Sequence, residues 1–248
     1  MYINAKHGVT DIPALQQFIR ENPLGILTTA IKSHSYPFLQ SSHIPFLLDV
    51  PEPNNDSPGV LRGHMAKQNP QAKALIEAAT ELKSTTNQDD DKSIELPDEI
   101  LILFNGPHHH YVTPKFYTET KPATGKVVPT WNYSAAQAYG KIRVYCNSKS
   151  EETSGFLQTQ IEELSGFSET GIMGYASPWK VGDAPGNYVE LLKKNIIGIE
   201  IRVERLQGKV KMSQEMPRGD QQGVAQGFEK LGTDMARGIA QTVRERLA

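Results

Sequence analysis

Cysteine is almost absent: Cys146 is the only one in 248 residues. That excludes an internal disulfide and a four-cysteine zinc site, and a reducing compartment is expected. Long apolar runs are lacking too. No stretch approaches the roughly 18 consecutive apolar residues needed to cross a membrane. The opening Met1-Tyr2-Ile3-Asn4-Ala5-Lys6-His7 has no apolar stretch behind a basic start, which argues against a secretory signal. A soluble, cytoplasmic protein with no membrane partner is therefore expected. No sign of charge dominates, with 26 Lys and Arg against 28 Asp and Glu. A global basic field that would draw the chain to nucleic acid is thus missing. Three familiar loops are also absent: Gly-x-Gly-x-x-Gly after a strand, Gly-x-x-x-x-Gly-Lys-Ser/Thr, and Gly-x-Ser-x-Gly. No helix-turn-helix pattern stands out. Cys146 has no evident histidine partner and reads as a buried thiol rather than a nucleophile.

What is present fits a folded globular chain. Hydrophobic residues make up 38% and charged residues 22%, enough to enclose a sizeable core. Thr10 or Asp11 can cap a first helix with Pro13 in its opening turn. Ile12, Leu15, Phe18 and Ile19 would form its buried stripe, and Asn22-Pro23 would stop it. Strands are predicted over 24–31, 43–48 and 60–65, with Pro45 marking an edge or bulge and a polar loop over 51–59. Asn69-Pro70 is a cap followed by a first-turn proline and opens a helix to about 82. The polar segment 84–99, with Asp89-Asp90-Asp91 at its middle, reads as a mobile insertion.

The apolar run 100–104 predicts a strand buried on both faces. Further strands are predicted at 111–112 and 138–145, and helices over 152–164 and 188–194. Ile197, Ile199, Ile201 and Val203 alternate with Gly198, Glu200, Arg202 and Glu204, the clearest half-buried strand in the chain. Val224, Phe228, Leu231, Met235, Ile239, Val243 and Leu247 step along one helical face, which packs on its own barrel or on a partner subunit. Short strands, many turns and helices at both ends predict an α+β, mainly β fold: an antiparallel barrel with peripheral helices. The expected organisation is one domain over 1–220, with 221–248 as a C-terminal helix.

Three short polar motifs stand at strand ends, where a core does not call for them. The first is Leu61-Arg62-Gly63-His64-Met65-Ala66-Lys67-Gln68-Asn69-Pro70. Arg62 and His64 share a strand face, Lys67 follows at the turn, and a helix begins beyond it. Cations and N–H donors beside a helix N-terminus suit a phosphate; the plain alternative is a solvated strand end. The second is Thr130-Trp131-Asn132-Tyr133, whose rings could stack on a flat ligand or close a packed corner. The third is Lys211-Met212-Ser213-Gln214, where Lys211 and Ser213 could meet a phosphate or a ribityl hydroxyl, or serve as ordinary turn residues. Together the three suit a phosphorylated, flat, aromatic ligand, with flavin mononucleotide (FMN) the candidate. The triplet His108-His109-His110 offers an i, i+2 pair but no completing carboxylate or thiol. Packing is therefore its expected role, and no metal site is expected.

These pieces, with Phe18-Ile19-Arg20-Glu21-Asn22-Pro23-Leu24-Gly25, His43-Ile44-Pro45 and Phe104-Asn105-Gly106-Pro107-His108, occur in an order that resembles the FMN-binding negative transcriptional regulators of the PaiB type. The resemblance runs from Met1 to about Val224. It implies a split antiparallel β-barrel of the flavin-reductase and pyridoxine-phosphate-oxidase kind, usually a homodimer with FMN between subunits. Arg62, Gly63, His64 and Lys67 match the region that holds the FMN phosphate in related barrels. Trp131, Asn132, Lys211, Ser213 and Gln214 are further candidate contacts. An FMN-dependent oxidoreductase or a haem-handling protein on the same scaffold is the alternative; in either case no catalytic residue is assignable. The stretch 84–99 is longer than in bacterial members and points to a eukaryotic, fungal relative, in which a regulator could be nuclear. DNA is then a conceivable partner, although the charge balance does not support it.

Overall fold

The computed structural model describes residues 1–51, 57–89 and 91–247. Most of the expected loop 51–59, and the central Asp90 of the acidic run, lie outside the described residues. The chain divides into two compact units: Met1–Asn22, Phe104–Gln137 and Leu206–Ala248 form one, and Pro23–Leu103 with Ala138–Arg205 form the other. Among the described residues there are nine strands and seven α-helices. The strands pair antiparallel among the described residues, in accord with the α+β, mainly β architecture expected.

In the larger unit β2 (Leu24–Ala30) pairs with β3 (Leu39–Pro45) and with β6 (Ile94–Asn105). The short β4 (Leu47–Asp49) pairs with β5 (Val60–Ala66), and β5 pairs with β9 (Ile196–Lys211). The long β8 (Thr130–Tyr145) stands between β6 and β9. Alternation drives burial as expected along β9: Ile197, Ile199 and Ile201 are completely buried, while Arg202 and Glu204 are exposed. On β5 the same rule buries Leu61, Gly63 and Met65 and leaves Arg62 and His64 together on the other face. The run 100–104 corrects its expectation. Ile100, Ile102 and Phe104 are buried but Leu101 and Leu103 only partly so, so one face is core and the other is not.

Helix α2 (Pro70–Thr86) starts where expected, Asn69 accepting a hydrogen bond from Gln71 N at 2.8 Å, and runs one turn longer than predicted. The segment 84–99 is thus largely regular: its first residues close α2 and its last open β6. Helix α4 (Glu151–Gly166) is capped by Ser150 and widens into a π turn over Phe167–Ile172. Its Phe156 stacks on Tyr145 with ring centroids 3.9 Å apart. Gly198 makes room for this: a Cβ there would strike the Phe156 ring. Gly198 is the β9 residue opposite His64, so α4 lies on the Arg62–His64 face of β5. Helix α5 (Gly186–Lys193) precedes β9.

The smaller unit holds α1 (Ile12–Glu21), capped by Asp11, whose carboxylate accepts from Ala14 N at 2.8 Å, with Leu15 and Ile19 buried. β1 (Gly8–Val9) pairs with the end of β9, and β7 (His110–Val112) with the start of β8. A five-residue helix, α3 (Thr120–Thr124), follows β7. The predicted C-terminal helix is two helices, α6 (Arg218–Leu231) and α7 (Asp234–Glu245), parted by Gly232 in the left-handed region at φ 70°. Their stripe packs inward: Val224, Phe228, Ile239 and Val243 share one cluster with Val112, Tyr117 and Met212.

Asp220, in the first turn of α6, is wholly buried and accepts N–H donors from Glu119 at 2.8 Å and Thr120 at 3.2 Å. Burial pushes its carboxyl up, but the bonds from Thr120 and its neighbours outweigh this and hold it below the usual range. A carboxylate depressed by folding stabilises the fold above its unfolded pKa, and that contribution fades as pH falls through the folded value. The urea midpoint should therefore drop as pH falls below about 4. Asp220→Asn should be less stable at neutral pH and show a flatter acid limb; parallel limbs for the two proteins would contradict this origin.

Candidate functional site

The two groups of expected site residues belong to different units, and each has its own surroundings. On β5, Arg62 is fully engaged. Its Nε and Nη2 donate to both oxygens of Asp49 on β4, the latter at 2.9 Å, and Nη2 also donates to Glu163 of α4. Its Nη1 reaches Gln160 Oε1 at 3.4 Å, and Gln160 Nε2 donates back to Arg62 O at 3.5 Å. The Arg62 side chain is only 12% exposed. The hydrogen bond that it donates to Asp49 is the largest cause raising its pKa. Arg62 thus ties β4, β5 and α4 together, and a phosphate at its guanidinium would share it with two carboxylates. Gly63 looks into the core instead, where a Cβ would stand 3.0 Å from Ile44 and 3.1 Å from the Phe46 ring.

His64 and Lys67 differ from Arg62 in lacking partners. His64 Nδ1 is buried without a hydrogen bond, and burial pushes the imidazole pKa down, so the ring is neutral near pH 7 and carries one N–H. Two more buried polar atoms are unpaired, Gln40 Nε2 on β3 and Gln71 Oε1 in the first turn of α2. Native proteins leave few such atoms. The other end of Gln71 is well used, its Nε2 donating to Leu27 O at 3.1 Å, Thr29 Oγ1 at 3.0 Å and Gln40 O at 3.2 Å. Beside them Asn69 Nδ2 donates to Ser42 Oγ at 2.9 Å. Lys67 donates its backbone N–H to Asn195 O at 2.9 Å, and its ammonium makes no ion pair among the described residues. Burial lowers its pKa, with the Cys146 sulfur opposing. Cys146 is itself half-buried, and burial pushes its thiol up, in keeping with a thiol that is not a nucleophile.

In the smaller unit the candidate polar groups are spent on one another. Asn132 and Ser213, both without accessible surface, exchange hydrogen bonds at 3.1 and 3.2 Å. That pair holds Ser213 in the left-handed region at φ 66°. Gln214 closes its own turn, accepting from Met212 N at 2.6 Å and donating to Val210 O at 2.5 Å. Lys211 Nζ donates to Thr130 Oγ1 at 2.6 Å and pairs with Glu215 at 3.2 Å; Glu215 also receives His7 Nε2 at 2.9 Å. Trp131 alone is open, 49% exposed. His109 stacks beside it, centroids 6.3 Å apart, and Tyr111 meets it edge-on at 6.2 Å. The histidine triplet is packed against the C-terminal helices: His110 lies on Phe228, and a Cβ on Gly238 of α7 would strike the His108 ring.

Sequence reasoning missed Asp49, Gln160 and Glu163, the partners of Arg62. Only the i, i+3 spacing of Gln160 and Glu163 on α4 could have signalled them. It also missed Lys209, a buried ammonium that donates to Tyr2 O at 2.9 Å and lies 5.3 Å from the Tyr133 ring centre.

An antiparallel sheet flanked by helices places the protein in the α+β, mainly β class. The chain belongs to the family described as "Putative FMN-binding domain", matched over residues 1–205. It is 71% identical over 248 residues to "Uncharacterized protein AN0679" of Emericella nidulans, covering 99% of this chain and 97% of that one. It is 23% identical over 247 residues to "Protease synthase and sporulation protein PAI 2" of Bacillus subtilis, covering 100% and 98%. Among solved structures it is similar to the flavocytochrome Anf3 of Azotobacter vinelandii, with TM-score 0.44 and 8% identity, covering 85% of this chain and 72% of that one. FMN is the cofactor of the family. The unpaired His64 Nδ1 and Lys67 ammonium beside the start of α2 fit its phosphate, which needs such donors.

Proposed function

We propose that this protein is an FMN-binding split-barrel protein whose β5–α2 junction holds the flavin phosphate. One observation carries the reading: His64 Nδ1 on β5 is buried without a partner, and three residues further along Lys67 carries an ammonium with no ion pair among the described residues. Lys67 would supply the charge, the neutral His64 an N–H, and the Asn69-capped first turn of α2 its backbone donors. Arg62 would orient β5 against α4, with Glu163 and Asp49 as its counter-charges. In the smaller unit Asn132, Ser213, Gln214 and Lys211 would hold the segment around Trp131 rigid. Bound FMN would supply hydride or single-electron transfer; the chain's residues bind, orient and exclude water.

The regulatory role of the PaiB type is the finer reading, supported by the relation to PAI 2 over nearly the whole length of both chains. A homodimer belongs to it. The stripe of α6 and α7 is occupied in its own core, so a second copy would dock elsewhere. The exposed Ile172, Met173, Tyr175, Trp179, Tyr188 and Leu191 offer one apolar stretch for it. Purification should yield a yellow protein, or an apoprotein that takes up FMN and quenches its fluorescence. A haem-type absorption band in place of the flavin spectrum, or no uptake of FMN by folded protein, would refute the proposal. Retardation of promoter DNA that weakens steeply with salt is expected of the regulator; its absence at low salt removes that role and leaves FMN binding untouched.

A further inference from the structure

A cavity of about 670 Å³ opens in the larger unit between the end of β2, the last turns of α2 and the start of β6. That volume lies within the range of small-molecule sites. None of the family-matched motifs lines it. Its floor is apolar: Ile31, Leu96, Ile100 and Ile142 are all at least nine-tenths buried. Phe38, more than half exposed, stands at the mouth. The rim is charged, with Lys32, Glu81, Asp98 and Glu99.

The charges of the rim decide the sign of the occupant. Glu99 is paired with Arg205, 3.4 Å from each of its oxygens, and Arg205 in turn lies 4.0 Å over the Tyr139 ring. Glu81 and Asp98 have no ion pair among the described residues, and neither does Lys32. With Glu99 and Arg205 cancelling, one ammonium stands against two carboxylates, a net charge of −1. A phosphorylated or carboxylated ligand is repelled at such a mouth, so the cavity does not suit the flavin phosphate. An apolar floor with an anionic lip suits the opposite molecule.

We propose that this cavity binds a small organic amine, its hydrocarbon body over Ile31, Leu96 and Ile100 and its ammonium between Glu81 and Asp98. Phe38 can add a cation–π or stacking contact at the mouth. The segment 84–99 is thereby given a role, since Thr85, Leu96, Pro97, Asp98 and Glu99 all line the site. This inference is independent of FMN binding.

Three probes of one shape and three charges test it: 4-phenylbutylamine, 4-phenylbutanol and 4-phenylbutyrate, titrated into the full chain by calorimetry and amide NMR. The amine should bind saturably with Kd of about 1 mM or tighter, shifting the amides of 30–38 and 96–100. The alcohol should bind about fivefold more weakly, and the carboxylate more weakly still. The double variant Glu81→Gln, Asp98→Asn changes only exposed side chains and should bring the amine to the level of the alcohol. Leu96→Trp, filling the floor, should abolish binding of both. Equal affinity for amine and carboxylate, an unchanged amine affinity in the double variant, or no saturable binding by folded protein would each overturn the proposal. Uptake of FMN, measured on the same samples, should be unaffected by the double variant.

Discussion

Lys67→Glu is expected to lose FMN by a hundredfold or more. The native ammonium has no ion pair, so it can meet a phosphate without first giving up a partner. Losing one hydrogen bond to a charged group costs about 1.5–3 kcal/mol. Reversal goes further, because two like charges about 4 Å apart at an effective dielectric near 20 repel by about 4 kcal/mol. Even half of that sum exceeds the roughly 2.7 kcal/mol of a hundredfold change. The fold should survive, since Lys67 is only partly buried and its hydrogen bond to Asn195 O is made by its backbone. Lys67→Gln, which removes the charge without reversing it, should lie between. Arg62→Ala is expected to behave differently. It strands Asp49, Glu163 and Gln160 together, so its main effect should be on the urea midpoint, with FMN affinity changing less. Fluorescence titration of FMN separates the two. A Lys67→Glu protein that keeps native circular dichroism and binds FMN within about threefold of wild type would show that the phosphate is held elsewhere.

That contrast between two cations five residues apart marks where the sequence could be read and where it could not. Local rules were sufficient for the elements. Asn69-Pro70 and Asp11 cap helices because a side-chain oxygen next to free backbone N–H groups has one good use there. Ile197, Ile199, Ile201 and Val203 declare a half-buried strand by alternation alone. Even the face shared by Arg62 and His64 followed from a period of two. What no local rule supplies is the partner. Glu163 is separated from Arg62 by 101 positions, and whether a guanidinium is free or spent depends on that distant carboxylate. The same holds for Asn132 and Ser213, 81 positions apart. They read as awkward polar residues singly and as a satisfied buried pair together. The segment 84–99 failed for another reason. Its composition is that of a loop, but α2 carries its first residues and the apolar Ile94 and Leu96 anchor its end in β6. Tertiary burial overrode a polar average. At the C-terminus the 3.6-residue period was legible, but the Gly232 break that folds one stripe into two packed helices was not.

Phe228→Ala should remove about 3–5 kcal/mol of stability, roughly a fifth or more of what a domain of ordinary stability possesses. Phe228 has no accessible surface. Its ring meets Phe116 at 5.2 Å and an interplanar angle of 71°, and His110 at 5.2 Å and 73°, edge-on geometries that add to simple burial. Around it are Val224 and Ala225 of its own helix and Ile239, Ala240 and Val243 of the next. Truncation to alanine would empty a space walled by two helices, which can close only by shifting α6 toward α7. Gly227 limits that shift, because the Phe116 ring already lies where its Cβ would be. Phe228→Leu keeps most of the volume and should cost less than about 1.5 kcal/mol. Urea denaturation of both variants measures this, with an unchanged m value showing that the same cooperative unit unfolds. The size of the loss decides what residues beyond 205, outside the family match, do for the chain. If they were an appendage, Phe228→Ala would unfold α6 and α7 alone and leave the main transition in place. Because they share one cluster with Val112, Tyr117 and Met212, the expected result is a single transition moved to lower urea.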